Sequence, residues 1–409
     1  MPPSIRDGLT SATIDAIFYL ENSIWYLGSQ QKININISRA IYIYTVKTTI
    51  LHPVHVSLGA KMSPFGGYDM PIQYAGGIIA EHDAARSGAA LFDTCHMGEF
   101  TLSGPSAAAD LDRLLSNDVA NLAAGACRYG FLCNDDGGVI DDLITYRLSD
   151  TEFMVVVNAS GEDGDFNWIK ERVSKDTSIK NLSHATAKID LQGPKSPKIA
   201  ASLLKDPLNG LKYYRFMHNT YKDADIILSR TGYTGEIGFE IYCPAKYAVD
   251  FWNDCIAQGA VPAGLGARDI LRLEMGYPLY GHELSADRNA AQSGFAHAIS
   301  KNKAFIGSTK VSDSSLCNQS LTGISLDGRR TAHSGDAVMT DGKTIGTVTS
   351  GCFSPTQGRA IALAYINKES AGIDTPVSII SGKNELPGKI TATPFYKNGT
   401  VRGDINLYL

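Results

Sequence analysis

The chain has 409 residues, 44% of them hydrophobic and 19% charged, with a formal net charge of −5. That length exceeds what one hydrophobic core organises, so two or three domains are expected. The acidic balance argues against a nucleic-acid partner, and no apolar run approaches the ~20 residues that span a bilayer, which leaves small molecules or proteins as partners. The seven cysteines are odd in number and lack a C-x-x-C pair, and the nine histidines show no H-x-x-x-H or H-x-H spacing. A disulfide framework and a metal site are therefore not expected, and a reducing cytoplasm is.

Residues 1–45 differ in texture from the rest. They hold AIFYLENSIWYLG and ININISRAIYIYTV, rich in Ile, Tyr and Asn, without the cleavage site or basic bias of a targeting peptide. The expectation is a disordered extension upstream of an alternative start at Val46. Two later segments share a pattern: LSGPSAAADLDRLL (102–115) and LQGPKSPKIAASLL (191–204). Each reads as a strand ending at Gly-Pro and a helix with Pro in its first turn. Each is followed by a G-x-x-x-Y-x-F string, Gly125/Tyr129/Phe131 and Gly210/Tyr214/Phe216. Two related α+β units are the simplest account. Packed about a pseudo-dyad, they would put Tyr129 and Tyr214 in equivalent places on two walls of one cavity; core packing is the alternative.

Asp136-Gly137-Gly138 is a hairpin turn signal, and the run from Val139 to Leu148 reads as the strand that follows it. Side chains alternate along a strand, so Asp142, Ile144 and Tyr146 share one face and Asp141, Leu143 and Thr145 the other. One of the two adjacent carboxylates must then point inward if either face is buried, which needs a polar environment. The competing reading is a solvated strand start. Further on, MVVVN ends a strand at Asn158, GFEIY alternates around Glu240, and a helix is expected over Ala245–Ala257. Arg268 follows the Gly-rich turn GLGAR. From about residue 305, Asp327-Gly328, Asp341-Gly342 and Gly382-Lys383 punctuate short apolar runs, predicting a separate β-rich domain, barrel, sandwich or jelly-roll-like.

With these pieces on the page, the chain from about Val46 onward resembles the aminomethyltransferase family, the T component of the glycine cleavage system. LGAKMSPFGGYDMPIQY, LFDTCHMGEF, LCNDDGGVIDDLITYRL, LQGP, SRTGYTGEIGFEIY, PAGLGARDILRLEMGYPLYGHEL and IGTVTSGCFSPT appear in family order. The resemblance implies a three-domain α+β cloverleaf: a discontinuous folate-binding lobe (46–96 plus 184–285), a second α+β lobe (97–183) and a C-terminal β domain (300–409). It implies transfer of a one-carbon unit from the aminomethyl-lipoyl arm of an H protein to tetrahydrofolate, with release of ammonia and without a metal, by a monomer that docks its partner transiently.

By the same resemblance Asp142 is the catalytic carboxylate, serving as a base or as an orienter of the folate. Tyr129, Tyr146, Asn158, Tyr214, Tyr233, Glu240 and Arg268 surround the folate. Glu240 would take the aminopyrimidine edge with two parallel N–H bonds. Arg268 would pair with a folate carboxylate or an inner acid, or else with Asp269 or Glu274. Met97 and Arg402 are subsidiary matches, and Arg230 would be an entrance cation. Tyr68 stands where the family has Trp, and Gln292 where it has Glu. A folate-dependent demethylase of the same fold, acting on a small methylated donor, is the alternative.

Overall fold

The two L-x-G-P strings fold alike because each glycine takes a backbone conformation that a side chain would forbid. Strand Gly98–Ser103 ends at Gly104 (φ +137°), before helix Ala107–Leu114. Strand Thr186–Gln192 ends at Gly193 (φ +122°), before helix Ser196–Leu203. A Cβ on Gly104 would lie 2.0 Å from the Asp176 carbonyl oxygen, and one on Gly193 2.5 Å from that of Gly88. Gly193→Ala is accordingly expected to lower stability by about 1–3 kcal/mol or more. Urea unfolding checks this; an unchanged midpoint would show that the turn relaxes.

The structure is a computed structural model that describes residues 46–409 and, before them, the backbone of two short strands, Phe18–Leu20 and Ser23–Trp25, which pair antiparallel. The expectation of disorder over 1–45 otherwise lies outside the described residues. Thr48–Leu409 forms one unit. Its first sheet has five strands in the order Ser178–Asn181, Gly98–Ser103, Glu152–Val157, Val139–Arg147, Cys127–Cys133. Its second has six: Phe216–Tyr221, Ala224–Ser229, Gly238–Pro244, Thr186–Gln192, Ala90–Asp93, Val261–Pro262. Leu111, Leu114 and Leu115 bury against Phe100, Val155 and Leu143 of the first sheet, and Ile199 and Ala200 against Leu191 and Phe239 of the second. The helix expected from Ala245 begins as a 3₁₀ turn, Ala245–Tyr247, and continues as Ala248–Ala257.

The repeat is present, but its second string is in a different register. Leu115 bridges Leu132, and Leu204 bridges Tyr221; Ala126 bridges Arg215. These pairs, like the two Gly-Pro turns, all match at a constant spacing. In that register Gly125 (φ +75°) corresponds to Tyr214 (φ +59°), and Tyr129 corresponds to the exposed His218. The expected equivalence of Tyr129 and Tyr214 is therefore wrong. The loop before the second strand has a similar G-x-x-x-Y spelling four residues out of step, and spelling alone does not show which tyrosine sits in the left-handed turn. The units meet at this point. Cys127 N–H donates to the Tyr214 carbonyl and Phe216 N–H to that of Gly125, both at 3.1 Å.

Arg230 is corrected by the same symmetry. It is 4% exposed, and its guanidinium donates to the Leu211 carbonyl at 2.7 Å and to the Val401 and Gly403 carbonyls. Its repeat counterpart, Arg147, donates to the Leu122 carbonyl at 2.8 Å. Both fasten the loop before the bridging strand. Arg230 has no face to offer at an entrance.

The C-terminal strands close into a six-stranded barrel in the order Gln319–Leu326, Arg359–Asn367, Lys343–Ser354, Ala337–Thr340, Pro376–Ser381, Asn384–Thr391. Ile324, Val338, Val348, Ala362, Ile366, Ile379 and Ile390 fill it. Helix Leu265–Met275 ties this barrel to the second sheet. Arg272 reaches Ser350 and Glu283, each at 2.9 Å, and Glu274 accepts from Ser354 at 2.5 Å while holding Arg86 at 2.7 Å.

Candidate active site

Strand Val139–Arg147 presents two carboxyls in a row, and the structure separates their fates. Asp141 is fully buried, whereas Asp142 is only partly so. Asp142 Oδ2 accepts from the Tyr129 hydroxyl at 2.9 Å, and Oδ1 accepts from the Asn158 amide at 2.8 Å. The same Asn158 amide reaches Asp141 Oδ1 at 2.7 Å, and the Asn158 backbone N–H reaches Asp141 Oδ2 at 2.8 Å. The strand alternation holds, yet the phenol that touches Asp142 is Tyr129 from the neighbouring strand rather than Tyr146 on its own. Burial, followed by the negative charge of Asp141, pushes the Asp142 carboxyl up to about 7, against the lowering effect of the Tyr129 and Asn158 bonds. Asp142 can thus exchange a proton near neutral pH, where an exposed aspartate stays ionised.

Tyr146 serves a second polar centre. Its hydroxyl donates to Glu240 Oε2 at 3.2 Å and pairs with the Tyr242 hydroxyl at 3.0 Å. Glu240, 5% exposed, is the inward acid of the GFEIY strand. It also accepts from Thr231 at 2.5 Å and from the Lys188 ammonium at 2.7 Å. A carboxylate offers about four acceptor directions, so three donors leave one. The expected two parallel bonds to a ligand edge are therefore reduced to one. Lys188 also donates to Asp190 Oδ1 at 2.7 Å, and Asp190 Oδ2 takes the Arg268 guanidinium at 2.8 Å. Arg268 thus pairs with an inner acid, and the partner is Asp190 rather than Asp269 or Glu274. Burial alone would lower the Lys188 ammonium, but the carboxylates of Asp190 and Glu240 outweigh it and raise it.

Aromatic rings connect the two centres. Tyr233 stacks on Tyr277 at 5.6 Å and lies under the Arg268 guanidinium at 5.2 Å. Tyr277 meets Phe295 at 6.5 Å, Phe295 meets Tyr129 at 6.1 Å, and Tyr213 meets Tyr214 at 4.6 Å. Tyr233 and Tyr214 lie close enough to Tyr129 to act on its hydroxyl, which burial in the first place pushes well above the usual phenol range. Met97 and Tyr214 pack into the apolar cluster of Tyr146 and Tyr242. Arg402 is exposed at the fringe, within electrostatic reach of Tyr277 and His297. Asp142, Tyr129, Asn158, Tyr146, Tyr214, Tyr233, Glu240 and Arg268 are thus gathered along one band, and Arg230 is not part of it.

Sequence reading missed Lys188, Asp190, Thr231, Tyr213 and Tyr277. For the first two the sequence shows only alternation: TAKIDLQ puts Thr186, Lys188, Asp190 and Gln192 on one face and Ala187, Ile189 and Leu191 on the other, the pattern of a solvated strand face, and only the tertiary packing buries the polar face. Tyr213 and Tyr277 lie outside regular strands, where periodicity says nothing.

The comparisons agree with this geometry. The GCVT N-terminal domain matches residues 51–303, and the glycine cleavage T-protein C-terminal barrel domain matches residues 319–397. The chain is 40% identical over 360 residues to an aminomethyltransferase of Desulforamulus reducens, covering 86% of this chain and 98% of that one. It is 38% identical over 366 residues to an aminomethyltransferase of Thermotoga maritima, covering 88% and 100%. Among solved structures it superposes on glycine cleavage system aminomethyltransferase T from Bartonella henselae with a TM-score of 0.82 at 30% identity, covering 87% of this chain and 99% of that one. Sheets, barrel, buried charges and sequence matches lead to one conclusion: the chain belongs to the aminomethyltransferase family, the T proteins of the glycine cleavage system.

Proposed function

We propose that the protein transfers the one-carbon unit of an aminomethyl group, carried on the lipoyl sulfur of an H protein, to tetrahydrofolate, with release of ammonia. The observation that carries this reading is the setting of Asp142: a partly buried carboxyl oriented by Tyr129 and Asn158, which burial and the charge of Asp141 push up to about 7. The acceptor nitrogens of a reduced folate are weak nucleophiles that must shed protons as the new bonds form. Asp142 is placed to align that edge and to take a proton.

The remaining residues suit the acceptor. The Tyr233–Tyr277 stack and the Tyr129–Phe295 pair offer flat faces, as a pterin ring needs. Glu240 has one acceptor direction left for an N–H on the ring edge. Arg268, half committed to Asp190, keeps guanidinium hydrogens for a carboxylate or for a ring oxygen. The band of aromatic side chains would keep water from the electrophilic carbon released by the donor, which otherwise hydrolyses. The partners are a lipoylated H protein, bound transiently by a monomer, and the folate. The setting is the cytoplasm, consistent with cysteines that are all free.

The test is turnover of aminomethylated H protein and tetrahydrofolate, followed as methylene-tetrahydrofolate. Formation of product supports the reading. Tight folate binding without turnover would overturn the donor and favour a small methylated amine or sulfonium. If Asp142 acts as the base, kcat/KM falls tenfold per pH unit below a midpoint near 7, because the protonated carboxyl cannot take a further proton.

A further inference from the structure

Helix Glu162–Lys170 places a third carboxyl against the pair on the strand. Asp165 is 1% exposed, and its Oδ2 atom has no hydrogen-bond donor. What it does face is Asp141: the two carboxyls act on each other beside the bare α-carbon of Gly161. A Cβ built there would lie 2.6 Å from Asp165 Oδ2 and 3.4 Å from Asp141 Oδ2. Two carboxylates cannot bond one another; one must be the acid. Asp141 already receives two N–H bonds from Asn158, through the amide at 2.7 Å and the backbone at 2.8 Å, which favours its ionised form. That leaves the proton on Asp165.

We propose that Asp165 is a positioning residue for the transfer: as a neutral acid it donates to Asp141, fixes Asp141 as a carboxylate, and through that fixed charge sets the proton affinity of Asp142. The proposal rests on Asp142 being the reactive carboxyl. The groups facing the cluster are few. Asp141 and Asp142 come from the strand, Tyr129 from its neighbour, and Tyr280 from the segment after helix Leu265–Met275, within electrostatic reach of all three acids. The donors that reach Asp141 and Asp142 from Asn158 and Tyr129 are neutral, so they orient charge without cancelling it. Burial and the neighbouring Asp141 push the Asp165 carboxyl up to about 10, in agreement with the geometry.

The experiment is a ¹³C NMR titration of protein labelled at the aspartate side-chain carboxyl, without substrate, in wild type, Asp165→Asn and Asp165→Val. Asparagine is neutral and still donates to Asp141. It should remove the highest-titrating resonance and leave the Asp142 midpoint near 7. Valine cannot donate. Asp141 should then take the proton itself, and the Asp142 midpoint should fall by about one pH unit or more as its charged neighbour disappears. The acid limb of turnover should follow: retained in Asp165→Asn, shifted down in Asp165→Val.

A lowered Asp142 midpoint in Asp165→Asn would show that Asp165 is an anion in the wild type, and the proposal fails. An unmoved midpoint in a folded Asp165→Val protein defeats it equally. If the valine variant does not fold, the asparagine variant alone decides. Because the titration needs neither folate nor H protein, its failure is distinguishable from failure of the transferase reading.

Discussion

Replacing Asp142 with asparagine is expected to reduce turnover by about 10²–10⁴-fold, the usual worth of a positioned proton acceptor, while leaving the folate bound. The same substitution should make the protein more stable at alkaline pH. The two effects have one cause. In the unfolded chain an aspartate titrates near 3.8; in the fold, burial and the charge of Asp141 lift Asp142 to about 7. The folded state therefore binds the Asp142 proton more tightly than the unfolded state does. Stability is full below pH 4, declines as pH rises and the unfolded chain ionises first, and reaches its lowest contribution above 7. Each pH unit of displacement is worth ~1.4 kcal/mol, and the neutral amide escapes this penalty. The gain of Asp142→Asn should thus be largest at pH 8 and vanish toward pH 4. Urea unfolding at both pH values, beside turnover at pH 8, checks the pair of effects. A variant that is inactive but no more stable at pH 8 would mean that Asp142 is ordinarily ionised and hydrated. Its role would then be alignment rather than proton transfer.

The sheet-forming elements were legible because their signals are local. Gly104 and Gly193 announce turns that no other residue can make, and Asp136-Gly137-Gly138 sets the hairpin that aims Asp142. The alternation rule put Asp142 and Tyr146 on one face, as found. What alternation cannot supply is the neighbouring strand. The phenol on Asp142 comes from Tyr129, across the hairpin, and the donor shared by Asp141 and Asp142 comes from Asn158, at the end of the next strand. The register error in the repeat has a similar origin. Gly125 and Tyr214 share a left-handed backbone but not a residue type, so the symmetry is visible in φ and invisible in spelling.

Residue roles were legible only where family resemblance supplied them, and the structure sorted them by surroundings. Arg230 has the right charge and lies within the SRTGY string, yet its counterpart Arg147 performs the same carbonyl-capping task on the other side of the pseudo-dyad. Asp165 gave no sequence signal at all. It stands in a first helical turn beside Glu162 and Asp163, where acids are common because they favour the helix N-terminus. Only its contact with Asp141 distinguishes it from its neighbours.

Lys188→Met is expected to destabilise the protein by about 3–5 kcal/mol, the typical loss when one member of a buried charge network is removed. The Lys188 side chain is 1% exposed and is the donor shared by Asp190 and Glu240, each at 2.7 Å. Methionine matches its length and keeps the packing, so the loss isolates the charge. Asp190 would still hold Arg268, but Glu240 would be left with the neutral donors Thr231 and Tyr146 around a buried negative charge. Glu240 would then be a buried carboxylate with no cation beside it. This yields a sharper consequence than instability alone. The double variant Lys188→Met, Glu240→Gln removes both charges, so it should recover most of the lost stability in urea unfolding. It should not recover folate affinity, because a glutamine amide no longer offers the one free carboxylate direction. Because the pair is shielded from solvent, the loss should change little between low and high salt. A single variant as stable as wild type would mean that water already reaches the four charges and that Glu240 does not depend on Lys188. Restored binding in the double variant would show that the charge on Glu240 is not what grips the acceptor. Stability and affinity, measured on the same three proteins, separate what the lysine does for the fold from what it does for the ligand.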